Sequence, residues 1–249
     1  MKVLKYKKLT GGKYKVTLDT MELVLYEEVI LKYNLLITKE IDPLEIEKIS
    51  NDNLFYEVYY AAIRSINSRI KSVYDIRIYL IKKEYPVDII ESVIDKLLKQ
   101  GYLNDLIYTK SFINNQIVTT NNGPNKIKKE LLEHKVDEKI IYSELESFTT
   151  DLQLEKIEKL VNRFYKSNRT RGGFVLKKKI TNDLINYGYD IELIDKIISK
   201  FDFTNDKDIA KKEYEKLYRK LSKKYNGVEL ERKIKEKMYM KGLVYEEDI

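Results

Sequence analysis

Cysteine and tryptophan are absent from this 249-residue chain, and histidine occurs once. Without cysteine there is no disulfide framework, no thiol nucleophile and no Cys-ligated metal centre. The single histidine, His134, excludes a multi-histidine metal site. Proline (three) and glycine (nine) are scarce, so few positions interrupt a helix, and the profile predicts a mainly α protein. The longest unbroken apolar run is Val58–Ile63, six residues, far below the ~18 of a membrane-spanning helix. The opening Met1–Lys8 lacks the apolar stretch of a signal peptide. These absences predict a soluble, cytoplasmic chain with no membrane contact and no cofactor.

What is present is charge and apolar material together. Hydrophobic residues make up 43% and charged residues 35%, with Lys+Arg 47 against Asp+Glu 40 for a net +7. The apolar share suffices for a core, and the charge predicts a heavily solvated surface around it. Residues 2–26 differ from the rest. Lys13-Tyr14-Lys15-Val16-Thr17-Leu18 alternates polar and apolar with a period of two, and Gly11-Gly12 before it marks a hairpin turn. A third short run, Glu22–Tyr26, follows Asp19-Thr20. Together they predict a small antiparallel sheet that must lean on helices to be stable. A helix is expected over 27–35, with Val29, Ile30 and Tyr33 on one stripe. Asp42-Pro43 opens the next, since Asp caps free N–H groups and Pro fits a first turn.

From about residue 54 the pattern is helical and recurs. The anchors Tyr85, Val136, Tyr189 and Leu243 each follow a presumptive second helix. Nine positions before them stand Ile76, Ile127, Ile180 and Ile234; five before stand Leu80, Leu131, Leu184 and Met238. Five positions after the first three stand Ile90, Ile141 and Ile194, and nine after stand Ile94, Leu145 and Ile198. Such a register identifies tandem units of about 50 residues, each of three helices, which stack into an elongated curved array. The expected organisation is 1–50, a small β-sheet plus helices; 54–104, 105–152 and 153–206, three-helix repeats; and 207–249, a partial fourth repeat. Gly188 and Gly242 fall in the turn after a second helix, where the chain passes through left-handed space. Glu84 and Lys135 occupy the matching positions in the first two units, each at a cost of roughly 1 kcal/mol. Tyr85, Tyr102 and Tyr189 are expected to pack between helices. Ile89, Ile90, Val93, Ile94, Leu97 and Leu98 form the stripe of one third helix.

Catalytic signals are weak. His134 stands near a helix end, where the dipole favours it as a surface residue. Gly172-Gly173 lacks the Gly-Lys-Ser/Thr ending of a phosphate-binding loop. Adjacent acids such as Glu27/Glu28 diverge on a helix. Basic clustering is the informative chemistry. Residues 163–179 hold Arg163, Lys166, Arg169, Arg171, Lys177, Lys178 and Lys179 and no acid, so this stretch equals the excess of the whole chain, +7. A second cluster over 211–224 includes Lys211, Lys212, Lys216, Arg219, Lys220, Lys223 and Lys224 against Glu213 and Glu215. A smaller one is Lys126, Lys128 and Lys129. A solvated lysine-rich surface would intersperse acids; the acid-free stretch points instead to an anionic partner.

Three stretches, in register with the repeat, resemble a known family. Lys71-Ser72-Val73-Tyr74-Asp75-Ile76 with Leu80 is similar to the Arg-Ser-x-x-Glu-Leu/Ile opening of RecX proteins. Gly101-Tyr102-Leu103-Asn104-Asp105 with Tyr108 resembles their Gly-Tyr-Leu-(Asp/Asn)-Asp-x-x-(Phe/Tyr) junction. Gly123-Pro124-x-x-Ile127-x-x-Glu130-Leu131 resembles a third segment, although His134-Lys135 replaces the Lys-Gly that follows it in the family. Lys241-Gly242 keeps that pair in the last unit. The resemblance implies a monomeric, non-enzymatic regulator of the RecA recombinase. It would bind the groove of the RecA–single-stranded DNA filament, with a weak direct DNA contact, and suppress ATP hydrolysis and strand exchange. The candidate contacts are Arg163, Lys166, Arg169, Arg171, Lys177, Lys178, Lys179, Lys126, Lys128, Lys129, Arg219, Lys220, Lys223 and Lys224. A stand-alone helical DNA-binding protein and a carboxylate-metal nuclease are the competing readings.

Overall fold

The computed structural model describes residues 1–168, 170–204 and 207–244. It is mainly α, with a small antiparallel sheet at the N-terminus. Strands β1 (Val3–Lys8), β2 (Lys13–Leu18) and β3 (Glu22–Tyr26) lie in the order β1-β2-β3. Tyr6 pairs with Val16 and Val16 with Leu23, so Val16 sits at the centre of the sheet, fully buried. Helix α1 (Glu27–Lys32) ends earlier than the sequence predicts; it does not reach residue 35. The chain reverses through Asn34 in left-handed space (φ 48°) and restarts as α2 (Leu35–Thr38). The break returns Leu35 to the sheet core, where Tyr6 Oη donates to its carbonyl at 2.7 Å.

Asp42 accepts from the Leu44 amide at 3.0 Å and opens a short 3-10 turn into α3 (Ile46–Ser68). This helix serves two cores. Ile49 packs under the sheet with Val29, Ile30 and Leu35; Val58, Ala61 and Ala62 pack nine to thirteen residues on, in the next cluster. The limit expected between residues 50 and 54 therefore falls inside one continuous helix. Asn53 fastens it to the sheet: its Oδ1 accepts from the Tyr26 amide at 2.9 Å and its Nδ2 donates to the Val24 carbonyl at 3.0 Å.

Helices α4 (Val73–Ile81) and α5 (Val87–Lys99) complete the first three-helix group. Next come α6 (Asp105–Thr119), α7 (Pro124–Glu133) and α8 (Glu138–Leu145). A third group is α9 (Thr150–Ser167), α10 (Gly173–Asn186) and α11 (Ile191–Ile198). The last described pair is α12 (Lys207–Leu221) and α13 (Gly227–Met240). These two helices fall in the stretch expected as a partial fourth repeat, of which residues 245–249 lie outside the described residues.

The repeat framework is the core. Ile76, Ile127, Ile180 and Ile234 are each at most 1% exposed, and Ile90, Ile141 and Ile194 are 0% exposed. Leu98 is the member of its stripe that fails: it stands 100° round the helix from Leu97 and is exposed. Tyr102 is also exposed, contrary to its expected packing role, because Leu103 takes the core position instead. The Gly101–Asp105 junction is otherwise accounted for residue by residue. Gly101 turns left-handed (φ 75°), and the Tyr102 and Leu103 amides donate back to the Leu97 carbonyl. Asn104 Oδ1 caps α6 through the Leu106 and Ile107 amides. Asp105 Oδ1 reaches across to accept from the Val73 amide at 2.9 Å, at the start of α4. Burial raises the Asp105 pKa, and that hydrogen bond opposes the shift.

The chain divides into two compact units: Met1–Thr109 with His134–Val136, and Lys110–Glu133 with Asp137–Ile249. In the second, the turn after one second helix sits on the first turn of the preceding second helix. The Gly123 and Asn125 amides, at the head of α7, donate to the Tyr187 and Gly188 carbonyls at the tail of α10. Likewise the Gly172 amide, at the head of α10, donates to the Lys241 carbonyl after α13. Free N–H groups and free carbonyls thus satisfy each other, and the opposed helix dipoles attract. Glycine is required for the approach. Gly188 has φ 87°, and a Cβ there would lie 2.4 Å from the Lys126 nitrogen. In the first unit His134 Nδ1 lies 2.9 Å from Asp75 Oδ1, in the first turn of α4, and its ring meets Tyr108 edge-on. His134 is therefore a packing partner rather than a plain surface residue.

Glu84 (φ 62°) and Lys135 (φ 56°) do take the left-handed conformation expected from the register. Lys135→Gly removes that strain and should raise unfolding stability by about 1 kcal/mol. Gly188→Ala should lower it by more than this, because strain and a backbone clash coincide. Urea denaturation of the two variants checks the signs.

Candidate nucleic-acid interface

The acid-free basic stretch spans the end of α9, a loop and the first half of α10. Arg163, Lys166, Arg171, Lys177, Lys178 and Lys179 are all exposed; Arg169 lies outside the described residues. The loop between the helices is held by one side chain. Asn168 Oδ1 accepts from the Arg171 amide at 3.1 Å and the Thr170 amide at 3.4 Å, while its Nδ2 donates to the Arg171 carbonyl at 2.7 Å. Arg171 is thereby presented from a bracketed backbone.

The loop glycines pack rather than flex. Gly172 and Gly173 are buried, and a Cβ on Gly173 would fall 1.4 Å from the Phe203 carbonyl oxygen. Close backbone approach accounts for the glycine at 173. Arg163 stacks on the Phe164 ring at 5.3 Å, and Lys179 pairs with Asp183 one helical turn on. Lys177 and Lys178 project into solvent beside it.

The second basic cluster is not a separate surface. Lys216 and Lys220 on α12 line a cavity of about 500 Å³ together with Arg171 from the loop, Lys237 on α13 and Lys241 just after it. Residues 45 to 70 positions from Arg171 in the chain thus converge with it on one depression. Arg219 points elsewhere, toward Glu215 at 3.6 Å, and Lys223 and Lys224 are exposed beyond the end of α12. Lys237 and Lys241 escaped the sequence reading, because local charge counting does not see that α13 folds back on α12.

The small cluster of Lys126, Lys128 and Lys129 is partly committed to structure. Lys126 is half-buried under the Gly188 turn. Lys128 meets the Tyr142 hydroxyl, and this hydrogen bond raises its pKa. Lys129 alone of the three is exposed. Nearby Lys156 is a lysine the charge count overlooks. Its Nζ donates to the Ile117 and Thr120 carbonyls at the end of α6, and burial lowers its pKa. Among the described residues no group of three or more His, Asp or Glu side chains is placed to hold a metal ion. No helix among them is long and apolar enough to cross a membrane.

Comparison with known proteins bears on this arrangement. A family model described as RecX, first three-helix domain, matches residues 59–97. A regulatory protein RecX from Listeria monocytogenes serotype 4a (strain HCC23) is 32% identical over 224 residues, covering 88% of this chain and 83% of its own length. One from Halalkalibacterium halodurans is 30% identical over 226 residues, with 88% and 84% covered. Among solved structures, a crystal structure of regulatory protein RecX superposes with a TM-score of 0.69 at 22% identity, over 81% of this chain and 100% of that one. The RecX from Lactobacillus salivarius superposes at 0.52 with 26% identity, over 60% and 97%.

Asn168→Ala should leave the helices intact yet cost about 1 kcal/mol. Amide hydrogen exchange should accelerate at Thr170 and Arg171 while the α10 core amides keep their protection.

Proposed function

The chain belongs to the RecX family, and from that premise we propose that it regulates the RecA recombinase by binding the RecA–single-stranded DNA filament and restraining its ATPase and strand exchange. The observation that carries this reading is the acid-free basic stretch 163–179, set in a protein whose relatives are named regulatory proteins. A filament of nucleoprotein offers a repeating anionic track. In this reading the stretches 54–104, 105–152, 153–206 and 207–249 are the modules that meet that track.

In this reading Arg163, Lys166, Arg171, Lys177 and Lys178 make the electrostatic contact, and Lys179 joins them when it leaves Asp183. Lys129 is a peripheral contact. The chain acts by occupancy, as a monomer, with no reaction of its own. Long-range attraction between the basic face and the filament speeds encounter, so inhibition weakens as salt rises.

Arg163→Glu combined with Lys177→Glu and Lys178→Glu should raise the concentration needed for half-inhibition of RecA single-stranded-DNA-dependent ATPase at least tenfold, with unchanged helical content by circular dichroism. Equal inhibition by the variant and the parent would exclude the basic stretch as the contact. No inhibition by the parent at equimolar amounts would reject the function.

A further inference from the structure

The depression shared by the loop before α10 and the pair α12–α13 has an electrostatic composition that folding alone does not explain. Lys216 and Lys220 stand four residues apart on one face of α12, a like-charge pair that weakens an isolated helix. Arg171 and Lys237 face the same cavity of about 500 Å³. Among the described residues no ion pair joins Arg171, Lys216, Lys220 or Lys237 to an acid. The acids nearby are already engaged. Glu213, only 3% exposed, holds Lys241 Nζ at 2.6 Å, and Glu215 turns to Arg219 on the outer side of α12.

The buried Glu213–Lys241 pair is a fixed element. It occupies the carboxylate and leaves the other four cations facing the cavity without a counter-charge. Leu217 and Val175 give the cavity an apolar wall, and Thr170, Glu213 and the exposed Met240 also line it. Cations converging on a concave, partly apolar wall bind an anion more strongly than the same cations spread on a convex surface, because the low-dielectric wall focuses their field. Arg171 supplies a planar fork suited to two oxygens of one group, and the lysines supply point charges around it.

We propose that this cavity is a binding site for a phosphate group, held between Arg171 and the lysines Lys216, Lys220 and Lys237. The proposal deepens the filament-binding reading and rests on it for the source of the phosphate, which is a nucleic-acid strand. A free polyphosphate shares the same chemistry and is the other source to be distinguished. The site is separate from the open face formed by Arg163, Lys177 and Lys178, none of which lines the cavity.

The test uses the full chain alone, with no recombinase. The probes are a fluorescein-labelled dT oligonucleotide, inorganic tripolyphosphate and a poly-glutamate peptide. The Lys216→Gln, Lys220→Gln double variant removes two cavity cations. The Arg232→Gln, Lys235→Gln variant removes two from the other side of α13. The cavity variant should bind the oligonucleotide at least tenfold more weakly, with a log–log salt slope smaller by about 1.4 in magnitude, while the control variant changes less than twofold. Loss confined to tripolyphosphate would keep the phosphate site and assign it the free anion. Equal losses from both variants, or tightest binding of poly-glutamate, would overturn it. Because no recombinase is present, a failed cavity leaves the ATPase result standing, and a failed ATPase result leaves the cavity standing.

Discussion

The structure depends on a backbone contact between helix ends. The head of one second helix carries N–H groups with no partner in their own helix, and the tail of the next second helix carries carbonyls in the same condition. At Gly123–Asn125 against Tyr187–Gly188, and again at Gly172 against Lys241, the two deficits cancel. An unpaired buried amide or carbonyl is expensive, so each contact selects one register and rejects its neighbours. Side chains are almost absent from it. That is why glycine marks the tail position, and why a Cβ at Gly188 would meet the Lys126 backbone.

Around this contact the framework isoleucines do the burying. Ile76, Ile127, Ile180 and Ile234 occupy equal places in successive second helices and are equally inaccessible. The same spacing leaves the opposite helix faces free to vary, and variation there is where the basic residues accumulate. A modular chain can carry charge on those faces without disturbing its core. The acid-free stretch sits at a loop whose geometry is set by Asn168 and by two close-packed glycines, so its charges are displayed from a determined backbone.

Several features were legible from residues alone because they obey local rules. The left-handed Glu84 and Lys135 followed from aligning them with Gly188 and Gly242. The turn opened by Asp42-Pro43 followed from the fitness of Asp as a cap and of Pro in a first turn. Other features were not. The break at Tyr33-Asn34 depends on Leu35 finding the sheet, a long-range demand that overrides a continuous helical pattern. Leu98 is apolar at the edge of a stripe, where rotation about the helix decides exposure, and Tyr102 lies in the turn after α5, where Leu103 takes the core position. Lys156 reads as one more surface lysine until α6 ends beside it.

The amino-acid sequence by itself determined the repeat, its period, the mainly helical class and the concentration of positive charge, because periodicity and composition are properties of the chain order. Only the tertiary structure decided that α3 serves two cores, that His134 meets Asp75, and that cations from two distant clusters and from α13 open onto one cavity. Those facts depend on which faces come together in space, and helix packing brings side chains together across separations that no local pattern records.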